Sequence, residues 1–349
     1  IVDEPIIYPD KEGGSWVPVN YDGTFAGPVR AREALKRSIN IITVKLLEAT
    51  GINTVLDHAC RMLRVFDTGD RSGRFPPNYS IALGTALVSP LEMATGFSVF
   101  AAGGREVVPL SILRIEDRDG NPVKDFEAEI RASREGRDAK DFQVISPEAN
   151  YLMISMMEEV LKPGGTAWGS AFRENWTYNA AGKTGTTDNW NDAWFAGFTP
   201  NLTACVWFGF DKNGISLGRE QTGGAAAAPV WIRFMQEALR GKDPGDFRRP
   251  PGIVTATICE KSGTLAGPRC RKAITEYFER GYAPDQICDD PSEASNPIYR
   301  SVDTSGASPA GADGRAAADA ASPARRTPNA GASPNSTFRK HDRSLFDKD

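Results

Sequence analysis

The chain has 349 residues, 40% hydrophobic and 25% charged, which is ordinary globular usage and enough to bury a sizeable core in one or two domains. A formal net charge of −4 and a pI near 5.5 give no global attraction to nucleic acid or to anionic lipid, so neither is expected as a partner. No apolar run reaches the roughly 18–20 residues that span a bilayer, and Ile1–Asp10 lacks a basic stretch followed by an apolar one, so any anchor or export signal is expected outside these residues.

In chain order, the opening Ile-Val-Asp-Glu-Pro-Ile-Ile-Tyr reads like the middle of a domain, and the chain is expected to be a fragment. A helix is predicted from Val29 to about Arg37 and another from Ile41 to Glu48 before Gly51, with Ser38-Ile39-Asn40 at their joint. Such a serine and asparagine either project into a cleft or cap the second helix, and the tripeptide alone favours capping. Cys60 falls in the helical pattern Val55–Leu63 and reads as a small core residue.

Ser89-Pro90-Leu91-Glu92 supplies a capping serine, a proline at the first helical position and a glutamate three residues after the cap, so a helix should run to about Ala102 and end at Gly103-Gly104. Ser146-Pro147-Glu148 opens another, with Leu152, Met153, Met156, Met157, Val160 and Leu161 at helical spacing until Pro163-Gly164-Gly165. That methionine stripe reads as core.

Ala181-Gly182-Lys183-Thr184-Gly185-Thr186-Thr187 is the sharpest local signal. A lysine supplies positive charge, threonine hydroxyls bond a carboxylate, and the side-chain-free Gly185 lets a ligand backbone lie against the strand. An edge strand here accepts an extended peptide; a glycine turn with a solvated lysine is the plainer reading. Trp194–Phe198 and Leu202–Phe210, separated by Thr199-Pro200-Asn201, predict a β-hairpin, with Cys205 as a core residue of its second strand. Ala225–Leu239 predicts an amphipathic helix that packs Val230, Phe234 and Ala238, and Trp231, Met235 and Leu239, on that sheet.

Residues 241–252, dense in turn formers, read as a linker, residues 253–295 as a small cysteine-bearing module, and residues 296–349 as a disordered tail too poor in large apolar side chains to fold. Residues 1–240 form the main domain. Lys261-Ser262-Gly263-Thr264 imitates the Lys183 motif but reads as a turn. Cys259, Cys270 and Cys288 lack the close pairs of a zinc site, with His58 and His341 remote, so a disulfide is the preferred reading.

Ser-x-Asn followed by Lys-Thr-Gly is the order in which serine acyltransferases that bind penicillin carry their second and third motifs. The stretch between Asn40 and Lys183 leaves room for a helical subdomain. Trp16-Val17-Pro18-Val19-Asn20-Tyr21-Asp22-Gly23, Gly27 through Leu35, Ser80 through Gly84, Ser89 through Ala94, Phe100 through Gly104 and Gly182 through Gly197 resemble class A penicillin-binding proteins over about residues 1–290.

The resemblance implies an α+β transpeptidase sandwich of the β-lactamase-like kind, with an antiparallel sheet between helices and a small β-rich C-terminal module. It implies D,D-transpeptidation of peptidoglycan stem peptides through a serine ester, β-lactams as substrate mimics, no metal or organic cofactor, and cell-wall synthesis proteins as possible partners. The parent would work at the extracytoplasmic face of the membrane, held by an N-terminal anchor and carrying a glycosyltransferase domain as well. Ser38 would relay a proton toward the leaving group and Asn40 would hold the acyl donor's amide. Lys183, Thr184, Gly185 and Thr186 would take the carboxylate of a D-alanyl-D-alanine end, with the Thr186 N–H as half of an oxyanion hole.

One element of the pattern has no match. The acylated serine and its lysine, Ser-x-x-Lys, belong upstream of the Trp16 block, and no serine among the 349 residues has a lysine three places later. Ser336-Thr337-Phe338-Arg339 comes nearest, but arginine cannot act as the base. The chain is therefore expected to be cut downstream of its nucleophile and inactive alone. A non-catalytic peptide-binding or scaffolding protein is the alternative, and a β-lactamase-like hydrolase a third reading for which no deacylating glutamate can be placed.

Overall fold

A computed structural model of the chain describes residues 1–9, 14–66, 73–212 and 214–288. Ile1–Tyr299 form one unit and Arg300–Asp349 a second, which lies outside the described residues together with the tail expected from residue 296.

Four two-residue strands, β1 (Val2–Asp3), β2 (Tyr8–Pro9), β3 (Ser15–Trp16) and β4 (Gly27–Pro28), make two small antiparallel ladders, β1 with β4 and β2 with β3. Helices α1 (Ala31–Arg37), α2 (Asn40–Thr50) and α3 (Ile52–Leu63) follow. Ile41, Ile42 and Val44 of α2 are wholly or almost wholly buried, as is Cys60 of α3. Helix α4 (Pro90–Ala101) starts as its sequence dictates: the Ser89 hydroxyl accepts from the Glu92 N–H, the Glu92 carboxylate accepts from the Ser89 N–H, and Pro90 occupies the first turn. Its end is set by Gly103 and Gly104, at φ +71° and +83°. Ser89→Ala should lower stability by about 1 kcal/mol in urea unfolding, the usual loss for a capping hydroxyl.

A hairpin, β5 (Arg114–Glu116) and β6 (Pro122–Asp125), and helix α5 (Phe126–Arg134) precede α6 (Pro147–Met157). The predicted helix to Leu161 tightens into a 3₁₀ turn over Glu158–Leu161, which buries Val160 and Leu161. Of the methionine stripe, Met157 is core. A short helix α7 (Trp168–Arg173) leads to the central sheet, in which β7 (Ala181–Thr186), β8 (Ala193–Thr199) and β9 (Leu202–Phe208) are antiparallel neighbours in that order. Cys205 is only half-buried in β9, although burial pushes its thiol up to about 12.

Alternation along β8 serves two cores. Phe195 faces helix α8 (Ala228–Ala238) and packs at a tilt against Trp231, while Phe198 faces α4 and α6 among Phe97, Phe100, Ile154 and Met157. Gly182 and Gly197 sit opposite each other because a Cβ on either would fall under 3 Å from the Phe195 ring. The expectation for α8 needs correction. Trp231, Met235 and Leu239 are buried, but Val230 and Phe234 are 42% and 53% exposed, so the apolar face is narrower than the stripe of apolar residues. The predicted start of this helix at Ala225 is a wider, π-type turn over Gly223–Ala227, where a Cβ on Gly223 would lie 2.2 Å from the Trp194 carbonyl oxygen.

Four strands close the described chain: β10 (Ile253–Cys259), β11 (Leu265–Ala266), β12 (Ala273–Glu279) and β13 (Ile287–Cys288) in the order β12-β10-β11-β13. Lys261 lies in the tight turn after β10, with the Gly263 N–H on the Cys259 carbonyl. The sheet leans on the main body through Glu276 of β12. Its carboxylate accepts from Arg32 Nε at 2.8 and 2.9 Å, and the Arg32 guanidinium also reaches the Ser155 hydroxyl at 2.9 Å. Tyr151 and Tyr277 meet edge to face alongside. Cys259, Cys270 and Cys288 are thiols, not the expected disulfide, and strand pairing brings together three residues that sequence spacing keeps apart.

Candidate functional site

Ser38 ends α1 in the left-handed conformation, at φ +58° and ψ +50°, and its N–H bonds back to the Ala34 and Leu35 carbonyls. That sharp reversal lets α2 begin two residues later. Neither Ser38 nor Asn40 caps α2 by its side chain, so the capping reading of the tripeptide is wrong. The Asn40 amide instead donates to the Val19 carbonyl at 2.8 Å and fixes the strand-like segment before β4 against the helix joint. Asn20 does the same work from the other side, donating to the buried Asp3 carboxylate at 2.9 Å and accepting from the Ile41 N–H.

Across the cleft, Lys183 lies on β7, which pairs with β8 through Lys183↔Ala196. Its side chain shares a face with Ala181 and extends to the helix joint, where Nζ donates to Ser38 Oγ at 2.7 Å and to the Thr184 carbonyl at 2.9 Å. Two residues far apart in the chain thus form one polar contact. Burial disfavours the ammonium and pulls the Lys183 pKa down to about 8, so the group is mostly cationic at neutral pH yet close to proton exchange.

The threonines turn to the opposite face of β7. Thr184 and Thr166 share a hydrogen bond between their hydroxyls at 2.8 Å, and the Thr186 hydroxyl accepts from the Gly223 N–H at 3.0 Å. Gly185, paired with Trp194, is closely packed: a Cβ would lie 3.1 Å from that of Trp194, which would have to shift by a few tenths of an ångström. The structure therefore joins Ser38 directly to Lys183, holds Thr184, Gly185 and Thr186 on the same strand, and keeps the Asn40 amide on the Val19 carbonyl.

Three contributors were not singled out from the sequence. Thr166 sits just past the Pro163-Gly164-Gly165 break, whose sequence signals only a helix end. Gly223 is held against Gly185 and Thr186 by the π-type turn. Trp190 donates to the Tyr21 hydroxyl at 3.1 Å, and with Asn189 it forms a pair of left-handed residues immediately beyond the motif strand, at φ +54° and +57°. Consecutive left-handed residues other than glycine are the kind of local strain that functional loops retain.

A cavity of about 110 Å³ opens beside Ser38, lined by Asp3, Asn20, Tyr21, Asp22, Arg37 and Ile39 among others. A larger one, about 500 Å³, lies between Ala102 and Phe142 and contains none of the site residues, so its size is no guide to the chemistry.

Residues 3–236 match the penicillin-binding protein transpeptidase domain family and residues 249–293 the family described as penicillin-binding protein 1A, C-terminal domain. Penicillin-binding protein 1A of Pseudomonas aeruginosa is 33% identical over 325 residues, covering 82% of this chain and 38% of that protein. That of Neisseria meningitidis serogroup A is 38% identical over 256 residues, covering 73% and 30%. The chain spans about a third of the length of these relatives. Among solved structures, penicillin-binding protein 1A from Haemophilus influenzae superposes with a TM-score of 0.71 at 30% identity, covering 82% of this chain and 45% of that one. PonA1 from Mycobacterium tuberculosis in complex with penicillin V shares the fold, with a TM-score of 0.56 at 24% identity over 71% of this chain and 65% of that one.

Proposed function

The chain belongs to the penicillin-binding protein transpeptidase family, and from that premise we propose that it is part of a peptidoglycan D,D-transpeptidase that cross-links stem peptides through a serine acyl-enzyme. The observation that carries the reading is the 2.7 Å contact between Lys183 and Ser38 at the mouth of a motif strand that pairs, among the described residues, with β8 alone. In this reading Lys183 draws in the carboxylate of a D-alanyl-D-alanine end and exchanges a proton with Ser38, which passes it to the leaving group. Thr184 and Thr186 complete the carboxylate cradle once their present partners, Thr166 and Gly223, give way. Asn40 holds the acyl donor's amide, and the Thr186 N–H faces the developing oxyanion.

The parent protein would join this activity to a glycosyltransferase and work at the extracytoplasmic face of the membrane. No helix among the described residues is long and apolar enough to cross a bilayer. Because no serine here has a lysine three places on, the 349-residue polypeptide recognises the stem peptide but forms no acyl-enzyme by itself.

Two measurements on the purified chain test this. Incubation with a fluorescent penicillin followed by a denaturing gel should leave no covalent label; a labelled band would sink the claim of inactivity. In equilibrium titration, an acylated D-alanyl-D-alanine peptide should bind at least about tenfold more tightly as the free acid than as the C-terminal amide, the loss of one charge-assisted contact. Equal affinities would sink the carboxylate site and leave a plain scaffold.

A further inference from the structure

The C-terminal sheet carries a second cluster of reactive groups that acyl transfer does not use, and we infer that Cys259, Cys270 and Cys288 bind one zinc ion through three thiolates. Their sulfurs all lie within 4.8 Å of one another. Zinc–thiolate bonds of about 2.3 Å place the sulfurs of a tetrahedral site about 3.8 Å apart, so the three thiols need close by no more than about 1 Å.

The backbone fixes this convergence. Cys259 ends β10, its N–H on the Thr264 carbonyl at 2.8 Å, and Cys288 ends β13, in register with Ala266 of β11. Cys270 lies in the loop between β11 and β12, its N–H on the Gly267 carbonyl at 3.0 Å. Gly267 has to lack a side chain, because a Cβ would fall 2.3 Å from the Cys288 carbonyl oxygen. Cys259 and Cys288 are buried, and Cys270 stands half-buried at the mouth.

A further feature favours a metal over a disulfide. A disulfide uses two sulfurs and leaves the third idle beside it, whereas a metal uses all three. Thiolate ligands select zinc over magnesium or calcium. Three thiolates on Zn²⁺ leave a net charge of −1, and Lys261, Arg269, Arg271 and Lys272 flank the ligands in sequence. On binding, each thiol releases its proton to water, and a water molecule takes the fourth position.

The test uses the full 349-residue chain, expressed with zinc and purified under reducing, chelator-free conditions. Elemental analysis should find about one zinc per chain, and alkylation mapped by mass spectrometry should spare Cys259, Cys270 and Cys288 until a chelator is added. Cobalt(II) in place of zinc should give an intense thiolate-to-cobalt band in the near ultraviolet, a readout on the unaltered chain that no folding defect of a variant can imitate. Cys270→Ser should retain at least about tenfold less zinc, and Cys205→Ser should retain it fully. A chain with no zinc and no cobalt band overturns the inference, and so does a disulfide between any two of the three cysteines when the chain is exported to an oxidising compartment.

Discussion

Lys183→Met should weaken capture of a free D-alanyl-D-alanine carboxylate by about 30- to 1,000-fold, about 2–4 kcal/mol, the range for deleting one partner of a desolvated, hydrogen-bonded charge pair. Methionine fills much of the space of the lysine stem without the ammonium, so β7 and its pairing with β8 stay in place, and near-UV circular dichroism of the variant should match the parent. Titration calorimetry with the acid and the amide of the same peptide reads the effect. Unchanged discrimination between them would remove Lys183 from the site.

The pH dependence follows from the burial of the same group. Its pKa near 8 means that the ammonium, and with it carboxylate affinity, declines as pH rises through 8. Fold stability runs the other way. The unfolded chain holds this proton up to the ordinary lysine range near 10.4, so between about 8 and 10.4 the unfolded state binds more protons and the contribution of Lys183 to stability rises with pH. A chain that binds less well but unfolds no more easily at pH 9 is the signature of one buried lysine.

Glu276→Ala should lower stability by about 3–5 kcal/mol in urea or thermal unfolding, because it strands a largely buried guanidinium. The Glu276 and Arg32 side chains are 12% and 15% exposed. Burial alone would push the Glu276 carboxyl up, but the hydrogen bonds and charge of Arg32 outweigh it and hold the carboxyl below its ordinary value. A carboxylate held down in this way contributes stability above the unfolded pKa, near 4.3, and loses it as pH falls through the lower folded value, so the gap between variant and parent should narrow in acid. The double variant Arg32→Met/Glu276→Leu should recover part of the loss, since the more buried of the two guanidiniums leaves with its partner. It should not recover all, because Arg30, 3.3 Å from the Glu276 carboxylate, loses its ion pair and the Ser155 hydroxyl loses its Arg32 contact. A Glu276→Ala variant as stable as the parent would mean that the C-terminal sheet rests on the main body through other contacts.

What could be read from the sequence was local or periodic. The α4 start was legible because Ser89, Pro90 and Glu92 act within one turn, and the hairpin because two runs rich in aromatic and β-forming residues flank Thr199-Pro200-Asn201. The motif strand was legible because the chemistry of Lys183-Thr184-Gly185-Thr186 is contiguous. What escaped depends on residues meeting across the fold. Apolar spacing gave Val230 and Phe234 the same status as Trp231 and Met235, since periodicity marks a stripe without saying how wide a partner surface will cover it. Thr166 and Gly223 carry no signal apart from the neighbours they meet on β7. The convergence of the three cysteines is not legible because a close-pair rule describes ligands on one loop, whereas here β10, β11 and β13 supply the proximity.

Ser38 places two demands on one residue. Holding a side chain other than glycine at φ +58° costs about 1–2 kcal/mol, and glycine would relieve it while deleting the hydroxyl that Lys183 reaches at the helix joint. Selection for thermal robustness alone would thus drive position 38 toward glycine at the expense of the Lys183 contact, and the proposed proton relay would be lost with it.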